Sequence, residues 1–162
     1  MENYVKVVLC AYPLLRTVGQ DYAEHIRNKA LLSYVSAQST ERLAEYLAEE
    51  ILRKQKLEQL KELLDRVLMK LSEVERTLIE IRYFGKKRVK ELLRSKGVKS
   101  EERAALIGSE RSYFRQLRRV VAKVGGMLAK EGLTKEVYMA EYADIDIIRK
   151  IHIFVEKRDG EV

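Results

Sequence analysis

Residues 109–128 read SERSYFRQLRRVVAKVGGML, and the reading of this stretch decides what the rest of the chain is for. Wound as an α-helix, it places Tyr113, Phe114, Leu117, Val120, Val121, Val124 and Leu128 at three- and four-residue steps, a stripe made for burial. At about 100° per residue, Arg111, Ser112, Arg115, Arg119 and Ala122 fall on the opposite side, with Arg118 and Lys123 on the flanks. That outer face holds arginines and small residues but no acid, so nothing on it repels a phosphate. Ser109 is a good N-cap, and Gly108 before it permits a sharp turn. A helix of this design fits a DNA major groove; a solvated charged face is the blander meaning of the same pattern. The glycine pair Gly125–Gly126 is awkward in mid-helix, costing about 1 kcal/mol each relative to alanine, and predicts a bend or an early end.

The surrounding composition favours helix throughout. The 162 residues are 46% hydrophobic, with one proline, eight glycines and abundant Leu, Glu, Lys, Arg and Ala, which predicts an all-α chain with a real core. Cys10 is the only cysteine, so an intrachain disulfide is impossible and a cysteine metal site is implausible. The N-terminal run MENYVKVVLCAYPLLR has an acid at Glu2 and no basic region before its apolar stretch, which is too short to span a membrane. The expectation is a cytoplasmic protein with no membrane partner.

The net charge of +7 is unevenly placed. Residues 72–132 carry 16 basic and 8 acidic groups, whereas residues 1–38 carry 4 and 3, residues 39–71 carry 7 and 7, and residues 133–162 carry 5 and 7. The whole excess lies in the segment containing the opening helix, the footprint expected of a polyanion binder.

Residues 4–35 have a helical seam of Tyr4, Val8, Ala11, Leu15, Val18, Tyr22 and Ile26, interrupted at Pro13, which should kink or divide the helix near residues 10–12. A short strand at residues 5–9 competes, because VKVVL is β-rich. Residues 34–40 form a connector in which Ser39 or Thr40 caps the next helix. Residues 41–71 then make a rod about 45 Å long, with Leu43, Leu47, Ile51, Leu57, Leu60, Leu64, Val67 and Leu71 in its stripe and Glu62–Arg66 as a favourable i,i+4 pair. Packing within the chain is the favoured use of this rod; a homodimer through helix 41–71 is left open.

Ser72-Glu73-Val74-Glu75 is a capping box that starts a new helix, with Val74, Leu78, Ile81 and Phe84 facing inward and Gly85 as its stop. A strongly basic helix over residues 86–99 follows. Ser100 then caps a small helix, EERAALI, that leads through Gly108 into the opening helix, completing a helix-turn-helix. After Gly132, residues 134–157 read as one or two acidic helices from the N-cap Thr134, against a terminal strand with nothing to pair with. The division is a helical part over 1–71, a helix-turn-helix domain over 72–132 and an acidic helical tail over 133–162.

LSEVERTLIEIRYFG at 71–85 resembles the opening of the fourth conserved region of bacterial sigma factors of the sigma-seventy family, and Ala104, Ala105, Leu106, Gly108 and Ser109 resemble that family's turn. The resemblance covers residues 71–128. It implies a helix-turn-helix whose second member, from Tyr113 to Leu128, is a recognition helix, and RNA polymerase as a partner. Two departures stand out: residues 86–99 add a basic helix to a link that is short in the family, and no stretch resembles the other sigma regions. A stand-alone regulator of phage or mobile-element type fits this better than a complete sigma factor.

The expected function is therefore that of a transcriptional regulator binding double-stranded DNA. Ser112, Arg115 and Arg119, with Arg111 and Gln116, are the candidate base contacts, arginine suiting guanine and glutamine adenine. Lys86, Lys87, Arg88, Lys90, Arg103, Arg118 and Lys123 are the candidate phosphate contacts. The alternative is a helical protein-interaction adaptor that reads no DNA. RNA is a weaker option, since Tyr113 and Phe114 point toward the core rather than outward as stacking platforms. His25 and His152 have no metal-ligand neighbours at suitable spacing, no phosphate-binding loop is present, and no catalytic set is visible, so neither cofactor nor enzyme activity is expected.

Overall fold

The computed structural model describes residues 3–32, 40–84 and 110–160, and every regular element among them is helical. Six helices follow in order: α1 (Asn3–Leu32), α2 (Thr40–Met69), α3 (Glu73–Tyr83), α4 (Glu110–Lys130), α5 (Lys135–Glu141) and α6 (Asp146–Gly160). The connector at 33–39, the expected helices over 86–99 and 101–107, the Gly108 turn and the Ser109 cap lie outside the described residues.

The N-terminal third of α1 is the hub. Tyr4, Val5, Val7, Val8, Leu9 and Ala11 are all buried, more than one stripe of the helix, because α1 packs against α2, α3, α4 and α6. A helix apolar on every side belongs inside a bundle. That explains why the β-rich VKVVL is helical: neighbours surround it, and no strand is available among the described residues to pair with it. Pro13 lies inside α1, so of the two outcomes expected from sequence, a kink or a division, the division does not occur. An interior proline costs about 3 kcal/mol; burial of Leu9 and Ala11 before it and Leu15 after it offsets that cost.

The long rod of α2 packs chiefly on α1, as expected. Leu57, Leu60, Leu64, Val67 and Leu68 are buried, and Leu71 just beyond the helix is buried too. The N-terminal half is less covered: Ile51, expected in the stripe, is 43% exposed, and Glu50 is buried in its place with its carboxylate 2.7 Å from Arg53. The pair expected between Glu62 and Arg66 gives way to one between Arg66 and Glu131, at 3.4 Å. The rod ends without Gly or Pro because the Arg76 guanidinium of α3 donates to the Leu68 carbonyl, at 3.3 and 3.1 Å.

The Ser72 capping box is formed, with Glu75 N–H donating to Ser72 Oγ at 3.2 Å and Ser72 N–H donating to Glu75 at 3.0 Å. Of the expected inward set Leu78 is buried, Ile81 and Phe84 are half-buried against the core, and Val74 is 44% exposed, while Ile79 and Tyr83 are buried in addition. The inward face is rotated because α3 lies against both α4 and α1.

At the end of α4, Gly132 adopts φ +97°, Leu133 N–H donates to Leu128 O at 2.8 Å, and Gly132 N–H donates to Ala129 O at 3.1 Å. This is a Schellman stop, sealed by the buried side chains of Leu128 and Leu133. Thr134 caps α5, accepting from Val137 N–H at 3.3 Å. The tail returns along α1 through α6, where Ile148 and Val155 are fully buried. One buried core thus draws residues from all six helices.

Candidate nucleic-acid interface

The helix α4 is continuous from Glu110 to Lys130, so the Gly125–Gly126 pair neither bends it into two elements nor ends it early. Packing explains the first glycine. A Cβ at Gly125 would meet Val5 Cγ2 at 3.3 Å, so its absence lets α1 and α4 approach closely. At Gly126 a Cβ would meet nothing within 4 Å; no contact in the structure explains it.

Burial sorts the faces of α4 largely as the periodicity predicts. Tyr113, Leu117, Val120, Val121, Val124 and Leu128 are buried. Phe114 is the correction: at 37% exposed it sits at the margin of the stripe, edge-on to Tyr113 at 5.2 Å and covered by the Arg82 guanidinium at 5.8 Å. Its angular position, beside Arg118, carries it out of the core.

On the outer face, Arg111, Arg115, Arg118 and Arg119 are all exposed, and none has a carboxylate partner among the described residues. Arg118 Nε donates to the Phe114 carbonyl at 3.3 Å, which fixes the base of that side chain along the helix. Ser112 and Gln116 are half-buried on one flank, joined by Gln116 Nε2 donating to Ser112 Oγ at 3.3 Å. From Arg111 to Lys130 the helix contains no acid at all, so its potential is positive along its length.

Lys123 has a different position from its sequence neighbours. Its Nζ lies 3.0 and 3.1 Å from the two Glu75 oxygens of α3. A phosphate at Lys123 would have to displace that carboxylate. Glu75 is held below the usual carboxylate range, first by the Ser72 backbone N–H and then by Lys123. The five remaining phosphate candidates, Lys86, Lys87, Arg88, Lys90 and Arg103, lie outside the described residues.

Sequence reasoning passed over two arginines, Arg82 at the margin of this face and Arg158 over the neighbouring Tyr83. Arg82 was visible only as part of the Arg-Tyr of the 71–85 motif, and Arg158 lay in a tail read as acidic. No family model, curated protein or solved structure matches the chain.

The histidines are occupied elsewhere. His25 shares a 2.6 Å hydrogen bond with the Tyr46 hydroxyl, and His152 lies 3.0 Å from both the Tyr138 hydroxyl and Glu156. Among the described residues no cluster of three His, Cys, Asp or Glu side chains is arranged to hold a metal ion, and no helix is long and apolar enough to cross a membrane.

Proposed function

We propose that the protein is a transcriptional regulator that binds double-stranded DNA by laying the outer face of α4 in the major groove. One observation carries this reading: four exposed arginines on a single helix face, without a carboxylate partner among the described residues and without an acid from Arg111 to the end of the helix. An exposed arginine row left unpaired has little structural value, whereas in a groove each side chain gains a phosphate or a guanine edge. Arg115 and Arg119, with Arg111, Ser112 and Gln116, are the base-reading set; Arg118 sets the docking pose on phosphate. The resemblance of residues 71–128 to sigma region four supports a role at promoters, with RNA polymerase as the protein partner.

Selection of bound duplexes from a random pool tests this directly. A recovered consensus supports sequence-specific reading, and a palindromic one adds a homodimer. A second reading is that of an adaptor, in which α2 binds a partner helix. The exposure of Ile51 and Leu52 on α2 favours it. Absence of duplex binding at low salt would decide for the adaptor.

A further inference from the structure

The face of α4 does not account for Arg82 and Arg158, which come from the C-terminal ends of α3 and α6. Distant in sequence, they gather round the same side chains: the positive charges of both bear on Cys10, Tyr83 and Tyr113. Arg82 covers the Phe114 ring at 5.8 Å, while Arg158 lies over Tyr83 at 5.6 Å and over Phe154 at 5.8 Å. Guanidinium groups held against rings lose little further freedom when they grip an oxyanion.

Neither arginine has a carboxylate partner among the described residues. Asp159, the acid nearest in sequence to Arg158, is engaged by Lys6 at 2.5 Å. Arg158 Nε is buried with no hydrogen-bond partner, a donor that folding has desolvated without return. The Asp159 carboxylate also bears on Cys10 and Tyr83, but it is paired with Lys6, so the two half-buried guanidiniums, one with an unsatisfied donor, leave the place with a net positive charge. Phosphate is the oxyanion favoured, because Phe114, under Arg82, stands among Arg111, Arg115 and Arg118 on α4. Arg82 therefore borders the cationic face already described, and Arg158 adjoins it over Tyr83.

We infer that Arg82 and Arg158 form a phosphate clamp that grips the backbone of the same duplex whose bases α4 reads. The clamp rests on the DNA-binding reading. It adds phosphate contacts from α3 and α6 and makes the tail a part of the interface.

The test measures duplex affinity against salt for the full chain and for Arg82→Gln, Arg158→Gln and the double variant, with thermal melting as the fold control. Each lost arginine should lower the slope of log affinity against log salt by about one, equally for every sequence, and Arg82→Lys should keep the slope. Arg82 rests on a partly exposed ring, so its replacement spares the core and keeps the test valid if Arg158→Gln fails to fold. Duplex binding with an unchanged slope in Arg82→Gln and in any folded Arg158 variant would overturn the clamp and leave the DNA reading intact. Capture of a polyglutamate peptide by the wild type, lost in the variants at unchanged duplex affinity, would overturn it in favour of an acidic protein partner. No duplex binding by the wild type at low salt would overturn both readings.

Discussion

Lys123 Nζ on α4 lies within 3.1 Å of both carboxylate oxygens of Glu75 on α3. Glu75 also closes the capping box of its own helix by accepting from the Ser72 N–H at 3.0 Å. One carboxylate therefore ties the start of α3 to the middle of the cationic helix, and it helps set which way the arginine face points.

This tie has a pH signature. Glu75 titrates below its ordinary value of 4.5 in the folded chain. A depressed carboxylate contributes stability above its unfolded pKa and loses it as pH falls through the lower folded value. Urea midpoints between pH 7 and pH 3 should fall more steeply on the acid side for the wild type than for Glu75→Gln. Ser72→Ala, which removes the cap itself, should cost about 1 kcal/mol at neutral pH.

The same pair separates the cations of α4 by role. Lys123→Ala should leave the salt dependence of duplex binding nearly unchanged, because its ammonium is already neutralised by Glu75. Arg118→Ala should lower the salt slope by about one. Equal effects from the two variants would mean that Lys123 leaves Glu75 for phosphate.

The two neighbouring glycines should respond differently to the same substitution. Gly126→Ala meets nothing within 4 Å and should stabilise the protein by roughly 0.5–1 kcal/mol through helix propensity. Gly125→Ala brings a methyl to 3.3 Å from Val5 and should gain less or destabilise. Thermal melting of the two variants checks the close contact of α1 and α4.

A second carboxylate links α1 to α2. Asp65 is pushed up by desolvation, but hydrogen bonds from Tyr12 and Lys61 outweigh this and hold it below 3.8. Its contribution is thus present above pH 3.8 and lost as pH falls through the lower folded value. Tyr12→Phe should flatten that acid-side loss in a urea titration while leaving α1 helical.

These tests probe a structure that was partly legible in the sequence. Period alone places the buried residues of α4, the Ser72 box and the Thr134 cap, because each rests on a local pattern. Contacts between helices were not legible. Val74 faces water and Tyr83 faces the core because α1 and α4 choose the buried side of α3. Helix α4 survives its glycines because Val5 of α1 fills the space beside one of them. Phe114 looked like core and lies under Arg82, and nothing local could have paired it with a residue 32 positions earlier. Arg158 was hidden in the same way, since only the return of α6 along α1 brings it to Tyr83.

The central claim is that α4 reads DNA bases, and the most direct measurement is the affinity of Arg115→Ala for a duplex recovered by selection, compared with its affinity for unrelated duplexes. The account predicts a loss of about 1–3 kcal/mol on the selected duplex and a much smaller loss on the others. An equal loss on every duplex, or no loss on any, would contradict it.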